Sequence, residues 1–350
     1  MTTRDERSRE DSSEASTATT ATDVDDARAR GETEARRRRQ REHRKRNRAR
    51  NKLAMRREVE GLARAFLARA GTETATKTKA EAVDWTRVPS EADPLDKNAK
   101  GGEARGLRKR NQVATFATHL RSLVASGRDV RTVVDFGCGT GSVVMACAAL
   151  FPQLKFVGID LNPVSIDILN RRIAESGMTN VSARVGLIEE SETTLDDADV
   201  ALALHVCGEA TDFVMDQAIE RRIPFIIAPC CVGKVQKGGM RSLNRMRNDL
   251  ISIEKPNSIE RPRSRLMRAA GFDFESYMNA AALADWSGHQ GVDPTDANEP
   301  LARLPRLAKT AIETDRGAFA RENNYEVSMF KMPAQSGIRD DVIVGVPHHS

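Results

Sequence analysis

Asp135, Gly137, Gly139 and Gly141 stand at alternate positions directly after the apolar, β-branched pair Val133 and Val134. An apolar helical segment, Ser142 to Leu150, comes next. A strand, a glycine turn and a helix in this order make a cradle for a nucleotide-like ligand. Glycine lets the backbone turn sharply and lets a ligand approach where a Cβ would collide. The unpaired N–H groups at the start of the helix face that ligand. A second apolar run, Phe156 to Ile159, ends in Asp160. A carboxylate there can accept two hydrogen bonds from ribose hydroxyls. The spacing G-x-G-x-G departs from the G-x-G-x-x-G of a dinucleotide site, which counts against a nicotinamide cofactor.

A second group of reactive side chains lies downstream. His205, Cys207, Gly208, Glu209, Thr211 and Asp212 come after one apolar run, and Pro229, Cys230, Cys231, Gly233 and Lys234 after another. In an open α/β sheet, ligands bind outside the carboxyl ends of the strands. Both clusters are therefore expected on the rim that carries Gly137 and Asp160.

Strands and helices alternate so as to place all of these residues there. Strands are expected over 131–136, 155–160, 181–188, 198–205 and 224–229, with helices over 142–150, 163–176 and 209–221. Asn162 caps a helix begun by Pro163, and Gly177 stops it. Val113, Phe116, Leu120 and Leu123 add a helical stripe ahead of the first strand. The rhythm breaks over 235–304, which is read as an insertion with short helices. A helix over 305–322 and two strands, 325–332 and 341–346, close the chain. The expected fold is α/β, a mostly parallel seven-stranded sheet with helices on both faces and a C-terminal antiparallel hairpin.

The glycine loop with Asp135, and Asp160 at the second strand end, resemble the first motifs of class I methyltransferases, which have a Rossmann-like fold and use S-adenosylmethionine. The His205, Cys207, Gly208, Ala210, Thr211 and Asp212 set, together with Cys230, Cys231, Gly233 and Lys234, narrows the resemblance. It is similar to the methyltransferase region of glutathione S-transferase C-terminal domain-containing proteins and to related tRNA 2′-O-methyltransferase and methyltransferase-like groups. Arg261, Arg263, Ser264, Arg265, Lys309, Thr310, Asp315 and Arg316 extend it. The resemblance covers about residues 105–348. It implies S-adenosylmethionine as cofactor, held by Asp135, Gly137, Cys138, Gly139, Gly141, Asp160, Leu161 and His205, with Gly186 and Leu187 bordering the adenine. It implies an RNA acceptor, tRNA leading.

Four readings of the His–Cys cluster stay open. His205, Cys207, Cys230 and Cys231 shape the acceptor pocket, with His205 as general base. They bind zinc, although adjacent cysteines clamp less well than C-x-x-C and no metal is the leading expectation. One cysteine attacks cytosine C6 and another releases it. Or the thiols are small apolar fillers. The contrasting functional reading is a non-catalytic RNA-binding or scaffold protein, or a methyltransferase acting on protein or a small molecule.

Charge is partitioned sharply along the 350 residues. Five Arg against ten acidic residues give −5 over residues 1–35, and thirteen Lys or Arg against Glu42 give +12 over 36–57. The net charge of +5 for the whole chain then leaves about −2 for the remainder. The expected organisation is a disordered acidic then basic tail over 1–50, a basic amphipathic helix over 51–71, a linker over 72–105 and the methyltransferase domain over 106–348. Met55, Val59, Leu62 and Phe66 carry the stripe of that helix. The segment 36–57 is expected to meet RNA phosphates without sequence specificity, having no aromatic residue on which a base could stack. No run approaches the ~20 apolar residues of a membrane span, so no membrane partner is expected. The five cysteines cluster between Cys138 and Cys231 without a disulfide framework, which favours a reducing compartment, cytoplasmic or nuclear.

Overall fold

The computed structural model describes residues 21–71, 76–95, 102–188, 197–237, 259–285, 300–333 and 340–348. The expected disorder of residues 1–20 and half of the expected insertion, 238–258 and 286–299, lie outside the described residues. The chain divides into two compact units, Met1–Ala54 and Met55–Ser350.

Helix α1 spans Ala21–Ala70. This corrects the disorder expected up to residue 50. Ala, Arg and Glu are strong helix formers that need no apolar stripe, and Arg38 pairs with Glu42 one turn on at 3.4 Å. In the second unit Val59, Ala63 and Phe66 are fully buried. Phe66 meets the edge of Phe272 at 6.4 Å.

The sheet is built from β1 (Thr76–Lys77), β2 (Thr132–Phe136), β3 (Lys155–Asp160), β4 (Val181–Val185), β5 (Val200–Leu204), β6 (Phe225–Ala228), β7 (Tyr325–Lys331) and β8 (Asp341–Pro347). Their order is β1-β7-β8-β6-β5-β2-β3-β4. β2 to β6 run parallel, and β8 is antiparallel to both β6 and β7. This is the expected seven-stranded sheet, with the two-residue β1 added beside β7. β1 also corrects the expected linker. Residues 76–95 pack onto the domain, with Val88 and Ala92 buried and Trp85 against the same core.

The helices are α2 (Gly102–Ala125), α3 (Val144–Leu150), α4 (Pro163–Ser176), α5 (Glu209–Glu220), α6 (Arg265–Ala269), α7 (Phe274–Ala284) and α8 (Pro300–Glu322). Alternate strand residues feed opposite faces, as the pleat requires. Val133, Phe156, Val200 and Leu202 join α2 and α3 in one core. Val134, Ile159, Ala201 and Ala203 join α5 in the other. All five residues of β5 are buried. A strand covered on both faces reads as a continuous apolar run, and this one delivers His205 and its C-terminal neighbours to the rim.

Candidate functional site

The loop after β2 turns with positive φ at Gly137, Gly139 and Gly141. Two of these glycines do different work. A Cβ on Gly141 would come within 2.3 Å of Leu169 Cδ1, so this residue lets α4 pack against the loop. A Cβ on Gly139 would meet nothing within 4 Å. Gly139 therefore offers open backbone at the rim, as a cradle must.

Asp160 clasps this loop. Its Oδ2 accepts the Gly139 N–H at 2.9 Å, and its Oδ1 accepts the Asn162 N–H at 2.8 Å. Asn162 in turn caps α4, its side chain accepting from Val164 N–H. The half-buried carboxylate keeps lone pairs on both oxygens for hydroxyl donors. Leu161 is half-buried beside it. Gly186 donates its N–H to the Asp160 carbonyl at 3.1 Å, and Leu187 is buried next to it. The residues expected to border an adenine thus stand against the expected ribose acceptor. Cys138 is buried, with its Sγ 2.8 Å from where a Cβ on Gly158 would lie, and it packs loop to strand. Burial, and then the charges of Asp135 and Asp160, push its thiol far up, so it is inert.

Asp135 is the unusual group of the cradle. It is 1% exposed, and its Oδ1 has no hydrogen-bond partner among the described residues. Burial first, and then the charge of Asp160, push its carboxyl up to about 8. Lys109 on α2 opposes that rise, and burial lowers Lys109 itself to about 8. A buried carboxylate oxygen without a donor, beside an open glycine backbone, fits a ligand that brings a cation.

His205 comes directly after β5 with φ +66, a left-handed conformation uncommon outside glycine. Its N–H extends the ladder to Ala228 O at 3.1 Å. Its Nε2 lies 3.3 Å from Gln112 Oε1 on α2. Cys207 Sγ is 2.7 Å from Cys230 Sγ, which is 3.7 Å from Cys231 Sγ. The Cys207 and Cys230 sulfurs lie 3.5 and 3.6 Å from the His205 carbonyl oxygen. Cys207 and Cys230 titrate as a pair. The Cys230 thiol, with help from Lys234, holds Cys207 below the usual thiol range against its burial, while Cys230 keeps its proton. The structure therefore brings the three thiols together and turns the imidazole toward Gln112.

Behind this rim lies a buried ionic cluster. Arg316 of α8 donates to both oxygens of Asp212, at 3.0 and 3.1 Å, and to Gly208 O at 2.9 Å. Arg261 donates to Asp212 at 2.6 Å, and Arg263 stands 3.5 Å from it. Asp315 accepts from the Arg263 and Ser264 N–H groups and from the Ser264 hydroxyl. The Arg261, Arg263, Asp315 and Arg316 motif is thus a scaffold that fixes Gly208, next to Cys207, from outside the sheet. Gln112 and Lys109 are rim residues that sequence reasoning missed. α2 precedes the sheet, and nothing in its local pattern separates them from a solvated helix face.

Residues 108–238 match a family model described as a methyltransferase domain. Among known proteins, the chain is 27% identical over 270 residues to the glutathione S-transferase C-terminal domain-containing protein of Xenopus laevis, covering 76% of this chain and 38% of that protein. The human protein of the same description is 25% identical over 267 residues, covering 76% and 37%. The chain thus spans less than two fifths of the length of these relatives. A crystal structure of the methyltransferase domain of bacterial CtHen1 overlaps 69% of this chain and all of that chain, at 12% identity and a TM-score of 0.41. By this match residues 108–238 carry a methyltransferase domain on the Rossmann-like sheet described above, and the cofactor such a domain uses is S-adenosylmethionine.

Proposed function

We propose that this domain methylates RNA, with tRNA the leading class of acceptor. The observation that carries the proposal is the segment 36–57, whose net charge of +12 contrasts with about −2 over residues 58–350. Such a segment attracts phosphates at any sequence and leaves acceptor choice to the pocket. When bound, S-adenosylmethionine supplies a methyl group on a sulfonium centre. The residues present fit it. Asp160, which holds the Gly139 loop, would accept from the ribose hydroxyls, and Gly186 and Leu187 would border the base. Asp135 would receive the cationic amino-acid end, which would satisfy its unpartnered oxygen.

In this reading His205 takes the proton from the acceptor. Its ring is oriented by Gln112, and its backbone is fixed between β5 and β6. Methyl transfer gains most from alignment, so a positioned base adds a factor of about 10²–10⁴. The test is incubation of the full chain with methyl-labelled S-adenosylmethionine and small cellular RNA, then mass spectrometry of nucleosides. Label in one modified nucleoside, lost as salt rises and lost with residues 1–54, supports the proposal. Label confined to protein or small molecules, with RNA unmodified, overturns it.

A further inference from the structure

We propose that Cys207, Cys230 and Cys231 form a three-thiolate site for a single zinc ion, with a fourth coordination position open toward the rim. These three residues are the one group of metal-ligating side chains that converges among the described residues, all three sulfurs lying within 4.8 Å of one another. Zinc–sulfur bonds of ~2.3 Å in a tetrahedron place sulfurs about 3.8 Å apart. Cys230 and Cys231 already stand at 3.7 Å. Cys207 and Cys230, at 2.7 Å, need to part by about 1 Å, a small side-chain rotation for the half-exposed Cys207.

Adjacency in sequence does not prevent Cys230 and Cys231 from sharing an ion. Successive side chains on a strand point to opposite faces. Here β6 ends at Ala228, the chain turns into a short 3-10 helix at Val232–Lys237, and both sulfurs come within 4.8 Å of Cys207 Sγ. The two loops are held in register before any ion binds. Gly208 N–H donates to Cys231 O at 3.1 Å, and Arg316 holds Gly208 O from behind. Three thiolates and Zn²⁺ carry a net charge of −1, and the Lys234 ammonium beside Cys207 offsets it.

Cys230 and Cys231 are buried at 6% and 7%, so the exposed approach is from the Cys207 side. Three protein ligands with one accessible position is the arrangement of zinc sites that bind a further molecule, whereas purely structural sites have four. The ion would tie the loops after β5 and β6 and offer that position to water or to an acceptor atom. The proposal does not depend on the acceptor being RNA.

The experiment uses the full reduced chain, stripped with chelator and titrated with Co²⁺, then with Zn²⁺. One equivalent of Co²⁺ should give thiolate-to-metal charge-transfer absorption and the visible bands of tetrahedral cobalt, and Zn²⁺ should displace it. Cys207→Ser, Cys230→Ser and Cys231→Ser should each weaken binding at least 10-fold, whereas Cys147→Ala, a buried thiol on α3, should leave it unchanged. Circular dichroism of each variant identifies any that fails to fold, and the wild-type titration stands without them. Absence of the charge-transfer band in reduced wild-type protein overturns the proposal. So does undiminished binding in all three folded serine variants, or a zinc-free Cys207–Cys230 disulfide in protein prepared under reductant.

Discussion

Replacing Asp135 with Asn should stabilise the cofactor-free protein at neutral pH and weaken cofactor binding. Asp135 is fully buried with one unpartnered oxygen, and its carboxyl is pushed up to about 8. The unfolded chain ionises at the ordinary value of 3.8. Between these values the folded protein keeps a proton that the unfolded chain has lost, so stability falls as pH rises through this window. The slope is at most about 1.4 kcal/mol per pH unit, which accumulates to an upper bound of roughly 4 kcal/mol at pH 7. Asn removes the titration but leaves amide donors to be satisfied, at about 1–3 kcal/mol. A net gain of at least about 1 kcal/mol at pH 7–8 is expected, with a flatter pH profile. A cation bound at Asp135 favours the carboxylate, so S-adenosylmethionine binding below pH 8 should release a proton in the wild type and none in Asp135→Asn. The variant's affinity should fall at least tenfold for loss of a charge-assisted bond of about 1.5–3 kcal/mol. Urea melts from pH 5 to 9, and calorimetric titrations in buffers of different ionisation enthalpy, measure both effects. Equal pH slopes in the two proteins, or a variant less stable than wild type at pH 8, would refute the reasoning.

Asp160→Ala removes both the ribose acceptor and the clasp on Gly139, so cofactor affinity should drop at least tenfold with a small loss of melting temperature; unchanged affinity would place the ligand elsewhere. Asp212→Asn leaves three buried guanidinium groups short of a counter-charge and should cost about 3–5 kcal/mol in denaturant melts, a cost that an exposed ion pair would not show. His205→Ala should lower turnover by about 10²–10⁴ with cofactor affinity unchanged, and full turnover in this variant would remove His205 from the chemistry.

The parts of the fold that were legible in the sequence are those with local signals. β3 and α4 stand at the expected boundaries, because Asn162, Pro163 and Gly177 are caps that act within a few residues. β4 ends at Val185, short of the expected 188, because Gly186 and Leu187 leave the pleat to sit against Asp160. The early start of α1 was illegible because Arg, Ala and Glu give helix propensity without periodicity. The packing of residues 76–95 was illegible because Trp85, Val88 and Ala92 are too few, and too irregularly spaced, to read as an element.

The site divides in the same way. The glycine turn and Asp160 are contiguous signals. The convergence of Cys207 with Cys230 and Cys231 could be expected only as far as two strand ends sharing a rim. Gln112 and Lys109 reach that rim from a helix that precedes the whole sheet. Asp212 meets Arg261 and Arg316 across 49 and 104 residues, and such pairs leave no mark on local pattern.

The central claim is that the loop from Gly137 to Gly141, with Asp135 and Asp160, binds S-adenosylmethionine. Calorimetric titration of the full chain with S-adenosylmethionine, repeated on Asp160→Ala, tests it most directly. One ligand per chain, with at least a tenfold loss of affinity in the variant, is the predicted result. No binding to the folded wild-type chain at millimolar ligand, or equal affinity in the two proteins, would contradict it.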